Sequence, residues 1–243
     1  MVGENRPFEA IALTPIRKVI AARMSEAKQT IPHFRVAADI ELDALAELRA
    51  EALERSPGDK LSLNDFFIRA CALALIEVPA LNVQWADTEI HQYAAADISV
   101  VMALPGGGLS TPVIRRADRK SVRAISREVK ELAARASRNA LRMDDILGGT
   151  FSISNLGMHC VDQFDAIINP PQCAILAIGT AKPQIVPGQD GQVRLATMMR
   201  ATLSSDHRAI DGATAAAFLS ALRRLIESPD GLRRDMMSNE AET

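Results

Sequence analysis

The sequence predicts a single α+β domain with a mixed β-sheet flanked by helices. Helical and strand patterns are both present, but they do not alternate strictly as they would in a doubly wound fold. After the break at Gly148-Gly149 the chain becomes rich in strands, and no internal repeat or low-complexity linker divides it. With 243 residues, of which 48% are apolar, the chain can bury a sizeable core.

Helices are predicted where a capping residue precedes an apolar stripe. Thr14 is a suitable cap and Pro15 a suitable first-turn residue for a helix that extends to about Gln29. Further helices are expected at 44–54 after Asp43, from Ser62 or Asn64 to 76, from Ser121 to about 137, and from near Asp211 to 226.

Strands are predicted where apolar residues alternate with polar ones or form a short continuous run. Residues 34–42 alternate, which indicates a half-buried strand. The continuous apolar run 98–104 indicates a central strand that is buried on both faces. The remaining predicted strands are 82–85, 89–93, 109–114, 150–154, 166–168, 173–178 and 192–203, with a tight turn at 105–108.

Charge and cysteine usage exclude several classes of protein. The formal net charge of -2 gives no reason to expect nucleic acid or an anionic membrane surface as a partner. No run of about 18 apolar residues indicates a membrane span, and residues 1–7 lack the pattern of a signal peptide. Cys71, Cys160 and Cys173 form no CxxC pair, so neither a disulfide framework nor a metal site is expected. These features predict a soluble intracellular protein in a reducing compartment.

The segment around His207 is the strongest candidate for an active site. His207 follows an apolar strand and precedes a helix, and Asp206, Arg208 and Asp211 accompany it at the turn. A neutral imidazole is suited to take a proton from a thiol, so His207 is a candidate general base. The alternative is a hydrogen-bonded structural histidine. Asp211 also has two possible roles, the support of His207 and the N-cap of the last helix.

A second candidate is the predicted strand that contains Ser152 and Ser154. Alternation places both serines on one face of the strand and Ile153 on the other. A serine hydroxyl at a strand end can donate a hydrogen bond to a developing oxyanion. No Gly-x-Ser-x-Gly pattern surrounds either serine, which argues against a nucleophile. A hydrogen bond to the backbone is the structural alternative.

Two runs of sequence stand out around these candidates. They are His207-Arg208-Ala209-Ile210-Asp211-Gly212 and the run Gly-Thr-Phe-Ser-Ile-Ser-Asn-Leu-Gly-Met at 149–158. Shorter runs at 14–18, 31–34, 61–66, 111–115 and 166–172 accompany them in the same order along the chain. Together these segments resemble the catalytic core of the dihydrolipoamide acyltransferases, the core subunits of the 2-oxo acid dehydrogenase complexes. The resemblance spans about residues 10–230.

The resemblance implies a fold like that of chloramphenicol acetyltransferase, a two-layer domain assembled as trimers. Active sites would lie in channels between neighbouring subunits, with coenzyme A entering from one end and the lipoyl arm from the other. His207 would be the general base, Ser154 the hydroxyl that steadies the tetrahedral oxyanion, and Asp211 the accompanying acidic residue. The His207 and the Ser154 of one channel would come from different chains.

The reaction implied by the resemblance is acyl transfer between S-acyl-dihydrolipoamide and coenzyme A. Runs 153–158 and 166–172 look more like the acetyl-transferring members than the succinyl or branched-chain ones, with pyruvate or acetoin as the source of the acetyl group. Coenzyme A would be a substrate, another domain or chain would supply the lipoyl group, and no metal would be needed. Asn155, Thr111 and Arg17 are candidates for contacts with coenzyme A, and a solvated or interface position is the alternative for Arg17.

The predicted domain organisation is an arm at 1–12, the catalytic domain at 13–235 and a C-terminal tail at 236–243. No lipoyl domain or peripheral-subunit-binding domain is recognisable. The chain is therefore expected to be an excised core, or a naturally short protein supplied with lipoyl domains in trans. Lys60 follows Asp59 as in a lipoylation hairpin, but it lacks flanking strands and is interpreted as a loop lysine.

The resemblance also implies partners. A homotrimer within a symmetric core of about 24 or about 60 chains is expected. Its partners would be lipoyl domains and the decarboxylase and dihydrolipoamide dehydrogenase components of the complex. The bacterial cytoplasm is favoured over the mitochondrial matrix. Two other functions stay open: a catalytically silent structural core, or an acyltransferase of the same fold that acts on another acyl group or acceptor.

Overall fold

The structure is a computed structural model, and it describes residues 8–104, 107–188 and 191–238. Its helices are α1 (Pro15–Thr30), α2 (Asp43–Arg55), α3 (Leu63–Glu77), α4 (Val122–Ala136), α5 (Met143–Ile146), α6 (Gly212–Glu227) and α7 (Asp230–Ser238). Its strands are β1 (His33–Glu41), β2 (Val83–Ala86), β3 (Glu89–Gln92), β4 (Ile98–Val100), β5 (Met102–Ala103), β6 (Leu109–Ser110), β7 (Val113–Ile114), β8 (Phe151–Asn155), β9 (Ala174–Ile178), β10 (Lys182–Pro187) and β11 (Val193–Asp206).

The main sheet of the described residues has seven strands. Six follow one another in the order β1-β11-β9-β8-β4-β7, and β10 pairs with the first half of β11. The central strands β4, β8 and β9 run parallel to one another. The remaining pairings are antiparallel. This arrangement confirms the predicted α+β class and the mixed sheet.

One face of the sheet packs against helices and forms the main core. Helix α6 lies on β1, and α2 and α3 pack on α6. The rings of Phe151 in β8 and Phe218 in α6 have centroids 5.3 Å apart. Leu176 and Ile178 of β9 join the same core, because alternate side chains of a strand point to one face.

The opposite face of the sheet carries small and polar side chains. Buried residues of this kind are Ser99, Ser152, Thr202 and Ser204. Ile175 of β9 also points to this face, where it packs with Ala27 and Ile31 at the end of α1. The two faces are therefore chemically different, with an apolar core on one and a polar layer on the other.

The predicted helix caps are confirmed at three helices. The Thr14 hydroxyl accepts from the N–H of Arg17 at the start of α1. Ser62 and Asp65 form a reciprocal capping box at the start of α3. Ser121 accepts from the third residue of α4. Such caps satisfy N–H groups that have no partner within the helix.

Two predicted strands are each divided in the structure. The run 98–104 contributes β4 to the main sheet and then β5 to a small hairpin with β6, and the run 109–114 divides into β6 and β7. The second division falls at Pro112, whose carbonyl accepts from the N–H of Val100 at 2.8 Å. Proline has no N–H to donate to a sheet ladder, so the pairing is interrupted at this position. Positions 105 and 106 of the predicted turn lie outside the described residues.

The structure differs from the predicted elements at the segment 166–168, at the start of α2 and at β10. The strand predicted at 166–168 is wrong, because the segment is irregular and Ile168 donates its N–H to the imidazole of His33. Asp43 does not cap α2, since its carboxylate accepts from the N–H of Thr197 instead. Strand β10 is not predicted, because prolines interrupt its mostly exposed sequence.

The ends of the described chain differ from each other. Residues 8–14 are exposed and belong to no helix or strand, and residues 1–7 of the predicted arm lie outside the described residues. At the other end α7 passes the predicted boundary at 235, and Met236 is packed in the main core. Among the described residues, no helix combines the length and the apolar composition that a membrane span requires.

Candidate active site

His207 lies on the turn that joins β11 to α6, and its side chain is exposed. Its backbone N–H donates to the carbonyl of Pro32 at 3.1 Å. Its ring lies against the ring of Phe34, with centroids 4.6 Å apart and an interplanar angle of 53°. The imidazole is therefore accessible while the backbone beneath it is tied to the start of β1.

The residues on either side of His207 form a tight ion pair. The Asp206 side chain is 0% exposed. Its carboxylate accepts from the backbone N–H of Arg208 at 3.0 Å and from the Arg208 guanidinium at 2.7 Å. The guanidinium carbon lies 4.5 Å from the centre of the Trp85 ring. Hydrogen bonding to Asp206 raises the pKa of Arg208 above its ordinary value, so the guanidinium stays charged.

Asp211 is the N-cap of α6. Its carboxylate accepts from the N–H of Thr214 at 2.7 Å. Hydrogen bonding with Thr214 holds the pKa of the Asp211 carboxyl below its ordinary value. The capping alternative is thus confirmed, and no hydrogen bond joins Asp211 to His207 among the described residues.

Ser154 lies near the end of β8 and is half-buried. Its hydroxyl makes no hydrogen bond within the part of the chain that the structure describes. Ser152, two residues earlier on the same face, is completely buried and donates to the Gln172 side-chain oxygen. Ser154 therefore keeps a hydroxyl that is available to another molecule, whereas Ser152 does not.

The buried polar cluster around Ser152 extends to a neighbouring strand. The Gln172 amide donates to Ser99 of β4 at 2.9 Å, so one side chain bridges two parallel strands. Gly149 leaves the space that this bridge needs, since a Cβ there would lie 2.0 Å from the Ser99 hydroxyl oxygen. Gln172 was not among the predicted site residues, and its position within the run 166–172 is the signal that could have drawn attention to it.

His207 and Ser154 lie at opposite ends of the sheet of one chain. Ser154 is paired with Ala177 of β9, and Ala177 is paired with Thr202 of β11. His207 follows Thr202 by five positions along β11. Two strand spacings across the sheet and five residues along it separate the two Cα atoms by roughly 20 Å. One chain alone does not bring the two predicted catalytic residues together.

The three residues predicted to contact coenzyme A occupy different surroundings. Asn155 follows Ser154, and its side chain is used within the chain. It donates to Asn64 of α3 at 3.2 Å and accepts from the N–H of Gly157 at 2.8 Å. Thr111 precedes the Pro112 that binds the end of β4, which places it at the Ser154 end of the sheet. Arg17 is exposed on α1, and among the described residues its guanidinium has no partner.

His33 makes hydrogen bonds within the chain through both nitrogens of its ring. Its Nδ1 bonds the carbonyl of Ile31 at 2.9 Å, and its Nε2 accepts from the N–H of Ile168 at 3.1 Å. Since a carbonyl can only accept, Nδ1 carries the proton and Nε2 does not. Both ring nitrogens are thus used within the chain, and Nε2 fastens the irregular segment 166–172 to the start of β1.

The three cysteines are free thiols in different surroundings. Cys71 and Cys173 are buried. Burial raises the pKa of the Cys71 thiol well above its ordinary value, and it raises the pKa of Cys173 to about 12. Neither is therefore a suitable nucleophile. Cys160 is exposed in a left-handed backbone conformation. Among the described residues, no group of histidine, cysteine, aspartate and glutamate side chains could hold a metal ion.

Comparisons with known proteins agree on one family. The family model described as 2-oxoacid dehydrogenases acyltransferase (catalytic domain) matches residues 5–233. The chain is 44% identical over 235 residues to the dihydrolipoyllysine-residue acetyltransferase component of pyruvate dehydrogenase complex of Rhizobium meliloti, and 45% identical over 235 residues to that of Zymomonas mobilis. These matches cover 94% and 95% of this chain but 52% of each relative, so the chain spans about half the length of the curated relatives it matches.

Solved structures resemble the fold closely. One is a dihydrolipoamide acetyltransferase of Azotobacter vinelandii, investigated for the role of a serine, a histidine and an asparagine in its catalytic mechanism. Another is the cubic core of the pyruvate dehydrogenase multienzyme complex. Each is 29% identical with a TM-score of 0.88, over 95% of this chain and 96% of that chain. Chloramphenicol acetyltransferase, 14% identical with a TM-score of 0.53 over 88% of this chain and 96% of its own, confirms the predicted fold.

Proposed function

Because the chain belongs to the 2-oxoacid dehydrogenase acyltransferase family, as a catalytic domain, we propose that it transfers an acetyl group between S-acetyl-dihydrolipoamide and coenzyme A. The observation that carries this proposal is His207, an exposed imidazole on a turn whose backbone is fixed from both sides. Relatives named as acetyltransferase components support acetyl over other acyl groups. Pyruvate is the favoured source of that group, and acetoin is the alternative.

The proposed chemistry needs a base and an oxyanion donor. His207 takes the proton from the thiol of coenzyme A, and the thiolate attacks the carbonyl carbon of the acetyl thioester. Ser154 donates a hydrogen bond to the oxyanion that forms, which its uncommitted hydroxyl allows. The oxyanion then collapses, the bond to the dihydrolipoamide sulfur breaks, and that sulfur takes the proton back from His207. No covalent intermediate with the protein forms.

Coenzyme A and the lipoyl group are substrates in this scheme. Thr111, Asn155 and Arg17 stay candidates for contacts with coenzyme A, and Thr111 and Asn155 have the added support of lying at the Ser154 end of the sheet. Lipoyl domains, the decarboxylase and the dihydrolipoamide dehydrogenase are the proposed partners. The bacterial origin of the similar acetyltransferase components favours the bacterial cytoplasm, with mitochondria as the alternative.

We propose that one active site is shared between two chains of a trimer. The roughly 20 Å between His207 and Ser154 in one chain is too far for both to act on one thioester. Large exposed apolar side chains lie on two surfaces that an assembly could cover. They are Ile16 and Val19 on α1, and Ile185, Val193 and Leu195 on β10 and β11. The likeness to a cubic core supports assembly beyond the trimer.

The activity is tested by incubating the purified protein with acetyl coenzyme A and free dihydrolipoamide. Formation of S-acetyl-dihydrolipoamide is the expected result, and acetyl coenzyme A should be preferred over succinyl and branched-chain acyl coenzyme A. An assembled but inactive wild-type protein would contradict the proposal and favour a structural core. Preference for another acyl group or acceptor would contradict the acetyl assignment.

The shared site is tested by co-expressing His207→Ala and Ser154→Ala chains, each of which should be nearly inactive alone. In a trimer that mixes the two chains at random, about one quarter of the sites pair an intact His207 with an intact Ser154 from the neighbour. The mixed protein should therefore recover about a quarter of the wild-type activity. Activity no greater than the sum of the two single variants would show that the residues do not meet between chains.

A further inference from the structure

Asp206 is a buried carboxylate directly beside the proposed base. It is 0% exposed, and a charged carboxylate in such a place requires a cation and hydrogen bonds to compensate for lost water. Arg208 supplies both, through its guanidinium and its backbone N–H. Neither the proposed proton transfer nor the oxyanion contact uses this ion pair, so its place beside His207 calls for another role.

The hydrogen bond between the Asp206 carboxylate and the Arg208 N–H spans the backbone of His207. A carboxylate that accepts from the N–H two residues later forms an Asx-turn, and here the residue in the middle of the turn is His207. The carbonyl of Asp206 also accepts from the N–H groups of Ala209 and Ile210, at 3.1 and 2.9 Å. Asp206 therefore fixes the backbone on the C-terminal side of His207 with its side chain and its carbonyl together.

The ion pair is anchored to a separate part of the fold. The Arg208 guanidinium lies over the Trp85 ring, which is a favourable place for a planar cation. Trp85 in β2 donates its backbone N–H to the carbonyl of Pro171 at 3.0 Å. The turn is thus held against the segment that leads into β9.

Within the described residues, the contact of the His207 ring is with Phe34. The direction of the imidazole otherwise depends on the backbone that carries it. We propose that Asp206, with Arg208 and Trp85, is a positioning unit for His207 that acts through the backbone of the turn and touches no substrate. This inference rests on the proposed function, because it assumes that His207 is the base.

The first test compares two substitutions of Asp206. Asp206→Ala removes every side-chain acceptor, so kcat should fall by about 100-fold while the KM for coenzyme A changes little, as expected when a base is misplaced by about 1 Å. Asp206→Asn keeps an acceptor for the Arg208 N–H and should recover part of kcat. Arg223→Met, which removes an exposed arginine paired with Glu227 on α6, is the matched control and should leave both constants unchanged.

A second test asks whether Asp206 and Arg208 act as one unit. Arg208→Met leaves the buried carboxylate without its cation, whereas Asp206→Asn combined with Arg208→Met removes both charges. The loss of kcat in the combined variant should be smaller than the product of the two single losses, because residues in one network do not act independently. Trp85→Leu, which leaves the ion pair in place, should lower kcat by about 2- to 5-fold. If Asp206→Ala does not fold, the kcat of Trp85→Leu still tests the positioning role.

A third measurement does not depend on turnover. The rate at which diethyl pyrocarbonate modifies His207, followed by peptide mass spectrometry, reports the exposure and orientation of the ring. The rate should change in Asp206→Ala and stay at the wild-type value in Arg223→Met, even if the wild-type protein proves inactive and the proposed function fails. Unchanged His207 modification together with unchanged kcat would overturn the positioning role. A loss of activity in Asp206→Ala that is explained by its unfolded fraction alone would also overturn the positioning role.

Discussion

The two ends of the sheet hold their candidate catalytic groups in different ways. At one end His207 is exposed on a turn that Pro32 and Asp206 fix through hydrogen bonds. At the other end Ser154 belongs to a strand, and its hydroxyl has no partner among the described residues. A base must be accessible and oriented, whereas an oxyanion donor must have a rigid backbone and an uncommitted hydroxyl. Each end of the sheet meets the requirement of its proposed role.

Two serines of the same strand, β8, also differ in their surroundings. Ser152 and Ser154 share a face of the strand, yet Ser152 is used to bind Gln172 in the interior and Ser154 is not. Residue type and alternation alone make the two serines equivalent. Only their surroundings separate a structural hydroxyl from one that another molecule can use.

The largest effect is expected from removing the base. His207→Ala should lower kcat by about 10²- to 10⁴-fold, the usual range for loss of a general acid–base group. The thermal midpoint should change little, because the His207 side chain is exposed. Steady-state kinetics and a thermal scan check the two statements. His91→Ala is the matched control, since His91 is an exposed histidine paired with Glu89 in a separate hairpin. Full activity in His207→Ala would contradict the proposed mechanism.

A pair of serine substitutions should give opposite results. Ser154→Ala should lower kcat by roughly 10²- to 10³-fold and leave stability unchanged, because it removes an oxyanion donor. Ser152→Ala should keep activity but cost about 1–3 kcal/mol, because the Gln172 oxygen loses its buried donor. Kinetics and denaturant unfolding of both variants measure this contrast. Equal losses of kcat in the two variants would remove the distinction between the serines.

The smallest effect is expected at Asp211. Its carboxyl has a lowered pKa in the folded protein, so its contribution to stability is present above the ordinary pKa of an aspartate and is lost as the pH falls through the folded value. Asp211→Ala should therefore be less stable than wild type near neutral pH, and the difference should vanish in acid. Asp211→Asn keeps a capping oxygen and should be the milder change.

Thermal scans of these variants across a range of pH check the sign at Asp211. A difference between wild type and Asp211→Ala that grows in acid would contradict the capping argument. Activity in Asp211→Asn adds a separate result. If Asp211 serves His207 only by starting α6 in the correct place, this variant should stay active, whereas a strong loss of kcat would indicate that the charge itself is needed.

Local signals were sufficient for much of the fold. The caps Thr14, Ser62 and Ser121 start helices as predicted, because a cap depends on hydrogen bonds over three residues of sequence. Prediction failed where partners are distant in sequence. The segment 166–168 has the apolar character of a strand, but its N–H groups are not placed beside a sheet, and Ile168 bonds His33 instead.

The sequence by itself determined most of the helices and strands, the family and the residue types of the candidate site. His207 with Asp211, and the run that contains Ser154, are recognisable because short motifs depend on neighbouring residues. Only the tertiary structure decided which serine is available, that Asp211 caps α6, and that Asp206 is buried against Arg208 and Trp85. It also separated His207 from Ser154 by the pairing of β8, β9 and β11. Strand register joins residues far apart in the chain, and no local pattern of sequence specifies it.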